Sequence, residues 1–399
     1  MSETPWLSII GLGEDGLKGL SCASRSALEA AEIVMGPARH IGLLEGLACE
    51  TLTWPVPFAD GIAQLMGLRG RRVAVLVSGD PFWYGAGATL ARHFAPGEWQ
   101  SFPVPSTFAR VANHLGWSLE NTRCIGLHAA PLARLRPDLA PGVRVIVLLR
   151  EGGGVRDLAT YLDAQGYAET TLTIFEALGG PRQRITQTPA QELPDLDYQH
   201  PVCVACDIAG PGRAMSCARG QADDWFESDG QITKRPIRAM TLSALAPVPF
   251  EHLWDIGGGS GSIGIEWLLC HPSLRASTVE PRPERAARIA ENAARLGVDH
   301  LRVVTGIAPD ALAGLDRPDV VFIGGGLCDD LLHWIEENLA SGTRLVANAV
   351  TLESEAVLSG AHGRLGGDLM RVAVSRSHPL GAARGWKASY PIVQWSVTL

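Results

Sequence analysis

The stretch DIGGGSGSIGIEW at 255–267 sets an acid before a dense run of glycines and then a helix-like segment. Glycines let the backbone turn sharply and approach a ligand closely, and the N–H groups that open a helix have no partner inside it. The next β-rich run, RASTVE, ends in Glu280, 23 residues after Gly257. A carboxylate at that distance can accept hydrogen bonds from both hydroxyls of a ribose. The spacing therefore predicts a ligand that contains adenosine. Residues 259–264, GSGSIG, also satisfy the dinucleotide fingerprint, so a nicotinamide cofactor has to be weighed. A second template, an acid two residues before G-x-G-x-G, is met by Asp255, Gly257, Gly259 and Gly261. An acid there repels a pyrophosphate and suits an ammonium group, as in the methionine part of S-adenosylmethionine. That cofactor is the preferred reading.

A second glycine turn, IIGLGEDG at 9–16, follows the first β-rich run. Gly11, Gly13 and Gly16 match the same fingerprint, but no acid ends a later strand at the right distance. Alone the turn says little. Its companions are SGDPFWYG (78–85), PVPSTFARVANHLGW (103–117) and IFEALGGPRQRI (174–185). HPVCVAC (200–206) offers Cys203 and Cys206 with a histidine nearby, yet a zinc site needs more ligands and only Cys217 lies close. On a strand the two thiols face opposite ways, so they are read as buried core and no metal is expected. No catalytic acid, base or nucleophile can be assigned.

The elements that must position these turns are apolar runs alternating with helix-like stretches. WLSIIG, RVAVLVSGD, VRVIVLL, TLTIFEA and PVCVACDI mark strands of the first half. In the second half the strands are HLWDIG, RASTVE, LRVVTG, DVVFIGG and TRLVANAV. Short apolar runs between helices predict parallel strands covered on both faces. MRVAVSRS (370–377) and YPIVQWSV (390–397) read as a hairpin closing the second sheet. Residues 209–232 break the rhythm with small, polar and acidic residues. The division is a domain over 1–210, a linker over 211–231 and a domain over 232–399.

The C-terminal half resembles the seven-stranded class I methyltransferases, and within them the decarboxylating precorrin methyltransferase domain of cobalamin synthesis. ITKRPIRAMTLSAL (232–245), the glycine turn, VEPRPERAARIAENAARLG, GIAPDAL (306–312), VFIGGG (321–326) and NAVTLES (348–354) carry the likeness. The N-terminal turn with its three companions resembles the tetrapyrrole (class III) methyltransferases over about residues 5–210. The resemblance implies an α/β chain in which a two-lobed class III domain precedes a Rossmann-like class I domain. It implies two S-adenosylmethionine sites. Gly11, Gly13, Gly79, Asp80, Ser106 and Thr107 would line one. Thr233, Gly257, Gly258, Gly259, Ser260, Gly261, Glu280 and Ala308 would line the other. Members of the family often carry Gly-Asp-Ala where this chain has Gly306-Ile307-Ala308, so the resemblance leaves the backbone of Ala308 for the adenine. The implied acceptor is a tetrapyrrole methylated at carbon 5 by the N-terminal half. The C-terminal half would methylate carbon 15 and remove carbon dioxide. Arg235, Arg238, Arg371 and Arg384 are offered as partners for the acceptor's carboxylates.

Composition narrows the alternatives. A net charge of −8 argues against broad nucleic-acid binding. Arginines number 31 against 3 lysines, which suits a polyacidic ligand but also follows from codon usage alone. With 46% hydrophobic and 19% charged residues the chain can bury a core, and no apolar run approaches a membrane span. The start MSETPW has no export signal and the eight cysteines form no framework, so a cytoplasmic enzyme without membrane association is expected. The resemblance implies a homo-oligomer, dimer or tetramer. An RNA methyltransferase and a non-catalytic binder of S-adenosylmethionine or a tetrapyrrole remain as alternatives. Against RNA stands IGGG at 323–326, where adenine-specific enzymes carry an Asn/Asp-Pro-Pro-Tyr type loop.

Overall fold

A computed structural model describes residues 5–44, 46 and 48–399. The chain divides into two compact units, one of residues up to 130 with 138–213 and one of 131–137 with 214–399. The inner strands of the first unit are buried along most of their length, whereas its edge strands are largely exposed or half-buried. β1 (Leu7–Leu12), β2 (Ile33–Gly36), β3 (Glu50–Thr53), β4 (Val73–Ser78) and β5 (Trp99–Phe102) form an all-parallel sheet ordered β3-β2-β4-β1-β5. Every side chain of β1 is buried, as a strand covered on both faces requires.

The second sheet of this unit holds β6 (Thr122–Gly126), β7 (Arg144–Leu148), β8 (Thr171–Glu176), β9 (Arg184–Pro189) and β10 (Val202–Asp207), in the order β6-β7-β10-β8-β9. Only β6 and β7 run parallel. The all-parallel pairing expected from VRVIVLL, TLTIFEA and PVCVACDI is therefore corrected to a mixed, mainly antiparallel sheet, because a short loop joins β8 to β9 and β10 inserts between β7 and β8. Cys203 and Cys206 lie on β10, both buried, and burial pushes each thiol up to about 12. At that value they stay protonated and unreactive near neutral pH.

In the second unit β11 (His252–Ile256), β12 (Arg275–Glu280), β13 (Arg302–Thr305), β14 (Val320–Ile323), β15 (Arg344–Ala349), β16 (Asp368–Val372) and β19 (Ile392–Thr398) form one sheet ordered β13-β12-β11-β14-β15-β19-β16. The chain runs outward from β11 to β12 and β13, then crosses back to β14 on the other side. The carboxyl ends of β11 and β14 therefore flank the switch point, where open α/β sheets bind ligands. β19 is antiparallel to both β15 and β16 and completes the sheet.

Two expectations change here. The run 370–377 is not one strand: β16 stops at Val372, and β17 (Ser375–Leu380) with β18 (Ala383–Ala388) forms a separate ribbon before β19. All ribbon positions except Gly385 are exposed, so the ribbon packs neither face onto the sheet. The segment expected as a linker, 211–231, is not a free tether. From Ala214 it belongs to the second unit, where Trp225 and Phe226 enter the core. The N–H groups of Gly220 and Gln221 donate to the buried carboxylate of Glu266 at 2.7 and 2.9 Å.

Candidate functional site

The glycine turn after β11 borders a cavity of about 820 Å³. Of the residues expected there, Thr233, Gly257, Gly258, Gly259, Ser260, Glu280 and Ala308 line it. Gly257 has φ +79°, and a Cβ on it would meet the backbone N of Gly325 at 2.5 Å, so only glycine lets the turns after β11 and β14 approach. Gly261 stands outside the lining. It opens the helix Ser262–Leu268 and lies against Ile289.

Glu280 is 2% exposed at the end of β12, and its two oxygens accept from Gly259 N at 2.8 Å and Arg282 N at 3.2 Å. Each oxygen keeps a further acceptor position, enough for the two hydroxyls of a ribose. The hydroxyl of Ser260 is buried against the cavity without a hydrogen-bond partner, a costly state that a polar ligand would relieve. These residues fit an adenosine-bearing group. Asp255, read as a partner for an ammonium, does not line the cavity. Its Oδ2 accepts from Gly264 N at 3.2 Å and Thr278 Oγ1 at 3.3 Å, fastening the turn to the following helix. Burial above all raises its pKa to about 6; the two hydrogen bonds oppose the rise and the charge of Glu280 adds to it.

None of the four arginines offered for the acceptor lines the cavity. Arg238 is fully buried and bound to Glu266 at 2.6 Å, Asp223 at 3.1 Å and the carbonyls of Thr233 and Gln221. Its helix turns it inward, where it clamps the 220–233 segment. Arg235 is exposed, with its backbone N–H held by Asp223. Arg371 and Arg384 are exposed on β16 and β18. The cavity's cations are instead Lys234, Arg285 and Arg376, with Arg285 tied to Asp229 at 2.7 Å. Asn348 lies on the lining too, its amide oriented by Thr241 at 2.9 Å and Gln394 at 2.9 Å. Sequence reasoning missed Asn348 as a site residue although it opens the NAVTLES motif. Ile307 is an exposed apolar contributor to the same wall.

In the first unit the expected residues also come together. Gly79 N donates to Leu12 O at 3.0 Å, and the α-carbon of Gly11 sits so close that a Cβ would lie 2.0 Å from Gly79 O. Gly79 in turn faces the Cα of Ser106 and the N of Thr107, with 3.4 and 3.6 Å to an added Cβ. Gly13 lies against the Asp15–Arg110 ion pair. Ser106 caps the helix Thr107–Leu115 by accepting from Ala109 N at 3.1 Å. Asp80 accepts from Phe82 N at 2.8 Å, capping its own turn. No helix of the described residues is long and apolar enough to cross a membrane.

Two family models cover the chain in turn: residues 7–194 match the tetrapyrrole (corrin/porphyrin) methylases and residues 224–399 the precorrin methyltransferase domain. A precorrin-6Y C(5,15)-methyltransferase (decarboxylating) of a Sinorhizobium species is 47% identical over 399 residues, 99% of this chain and 97% of the relative. A cobalt-precorrin-6B C(15)-methyltransferase (decarboxylating) of Salmonella typhimurium is 33% identical over 166 residues, 40% of this chain and 85% of the relative. A cobalt-precorrin-7 C(5)-methyltransferase of the same organism is 24% identical over 201 residues, 50% of this chain and 98% of the relative. The chain thus belongs to the family of decarboxylating precorrin-6Y C(5,15)-methyltransferases.

Proposed function

We propose that this chain methylates precorrin-6B (6Y) at carbons 5 and 15 and removes the carboxyl of the ring C acetate as carbon dioxide, yielding precorrin-8X in cobalamin synthesis. The likeness to a decarboxylating C(5,15)-methyltransferase over nearly the full length of both chains carries this reading. Relatives of about half the length, named for one carbon each, support a division of labour between the halves. The N-terminal half would serve carbon 5, and the C-terminal half carbon 15 and the decarboxylation.

S-adenosylmethionine, when bound, supplies an electrophilic methyl group on its sulfonium. In the C-terminal unit Thr233, Gly257 to Ser260, Glu280 and Ala308 would hold it, Glu280 taking the ribose hydroxyls. In the N-terminal unit Gly11, Gly13, Gly79, Asp80, Ser106 and Thr107 would do so, which makes two sites per chain. The chain's own work is positioning and exclusion of water. Ile256, Val279, Phe322, Val350 and Ile392 give the C-terminal cavity apolar walls. Lys234, Arg285 and Arg376 supply charge for the acceptor's carboxylates. The attacking carbon belongs to the electron-rich macrocycle, so no protein nucleophile is needed. The electron pair freed as carbon dioxide leaves passes into the same conjugated ring. The reading carries with it an oligomeric enzyme of the cytoplasm.

Incubation of the chain with the reduced macrocycle and S-adenosylmethionine, followed by mass spectrometry, tests the proposal. Two methyl groups gained and one carbon dioxide lost are expected; an unchanged acceptor overturns it. Gly259→Arg meets no backbone clash, the nearest atom to an added Cβ being Gln231 O at 3.5 Å, but it strains the turn, since Gly259 has φ +60°. This variant should weaken the C-terminal cofactor site at least about a hundredfold, or ~2.7 kcal/mol. Decarboxylation should then cease.

A further inference from the structure

Beside the N-terminal glycine turn, segments far apart in sequence bring charge to the carboxyl edge of the parallel sheet. Glu14 follows β1, Arg39 lies just after β2, Ser78 ends β4, and Arg182 comes from the loop between β8 and β9. Glu14 is 7% exposed and pairs with both guanidinium groups, with Arg39 through Oε1 and with Arg182 through Oε2 at 3.5 Å. Arg39 also donates to Ser78 Oγ at 3.2 Å and to Nε2 of the buried His40 at 2.8 Å. A guanidinium can only donate, so His40 accepts and its ring is neutral. Burial first, then the charge of Arg39, lowers its pKa to about 4. His200 is lowered by burial and then by Arg39, with Arg182 adding to the effect.

The acids nearby are already engaged. Asp15 is matched by Arg110 at 2.7 Å, and Asp80 is turned to the N–H of Phe82. Two cations thus share one buried carboxylate, so the Glu14–Arg39–Arg182 group taken by itself carries one positive charge in excess. Holding like charges together at a partly buried site is unfavourable unless an anion joins them. Arg182 is 60% exposed and Glu14 reaches just one of its terminal guanidinium nitrogens, at 3.5 Å, so the rest of its planar fork is open to a ligand.

We infer that Arg39 and Arg182, braced by Glu14, form a carboxylate subsite beside the N-terminal turn that takes a side-chain carboxylate of the acceptor macrocycle. This rests on the function proposed above. The same chemistry could come from the methionine carboxylate of S-adenosylmethionine, and the experiment separates the two sources. On the full-length chain, initial rates of carbon-5 methylation are measured against macrocycle and then against cofactor. Arg182→Ala should raise KM for the macrocycle about tenfold. Its kcat and its KM for the cofactor should stay within about twofold, and Arg182→Lys should recover part of the loss. Its melting temperature should not move, because the side chain is largely exposed. A rise in KM for the cofactor instead assigns the subsite to the donor and overturns the inference. Unchanged kinetics leave the pair a structural brace and overturn it as well. An unsubstituted chain that methylates nothing removes the functional reading, and this assignment falls with it.

Discussion

The two glycine turns carry similar letters and meet different physical demands. In the first unit Gly11 is required because the chain after β4 passes within contact of its α-carbon, and the polar side chains nearby, Ser106 and Asp80, are occupied by backbone N–H groups. In the second unit the turn opens on a cavity, and Ser260 keeps a buried hydroxyl without a partner. A glycine motif thus reports close approach, but not of what. In both turns one glycine meets the protein's own backbone, Gly79 beside Gly11 and Gly325 beside Gly257, and in the second a ligand-sized space lies alongside as well.

That contrast can be broken or sharpened by substitution. The largest effect should come from Gly11→Ala, because an added Cβ would lie 2.0 Å from a backbone oxygen that has no flexible end to move. We expect ~3 kcal/mol or more of destabilisation in the first unit, read from urea unfolding, with carbon-5 methylation lost and decarboxylation kept. A stable variant would show that the two turns can part and that the contact is not structural.

Next comes pH. The Asp255 carboxyl is lifted from 3.8 to about 6 in the folded chain, so the native state holds its proton more firmly than the unfolded one. Its stabilising contribution is full below about pH 4 and is lost as pH rises through about 6, a change on the order of 2–3 kcal/mol. Asp255→Asn should flatten that part of the pH profile of second-unit unfolding and gain relative stability above pH ~6. A profile identical to the parent's would mean that burial does not raise the pKa of this carboxyl.

The smallest effect is the most diagnostic. Ser260→Ala removes a hydroxyl with no partner, so stability should hold or rise by less than about 1 kcal/mol. Cofactor affinity, measured by calorimetry at the C-terminal site, should fall severalfold, ~1 kcal/mol. Loss of stability without loss of affinity would reverse the contrast between the turns.

Much of this was legible in the residues. Strands β1, β4, β11 and β14 announce themselves as short apolar runs, and Glu280 reaches the cavity as its spacing from Gly257 requires. What stayed hidden depends on partners distant in sequence. Arg238 looks like a surface cation until Glu266 and Asp223 fold around it. Arg376 and Arg384 are equally plausible in sequence, and only the pairing of β17 with β18 decides which one lines the cavity. Glu14, Arg39, Ser78 and Arg182 carry no shared motif because a sheet edge, not a stretch of chain, brings them together. Asp255 was visible as an acid at the right position, but its burial, and hence its role beneath the turn, was not.

The exposed β17–β18 ribbon bears on how such a protein can change over generations. It carries Arg376 to the cavity wall while burying almost nothing of its own, and the strands that form the sheet end before it and resume after it. Shortening, lengthening or recharging it would change that wall of the cavity without disturbing the glycine turn or the core. Selection can therefore vary this stretch, and with it one wall of the cavity, at little risk to folding, a freedom that neither glycine turn possesses.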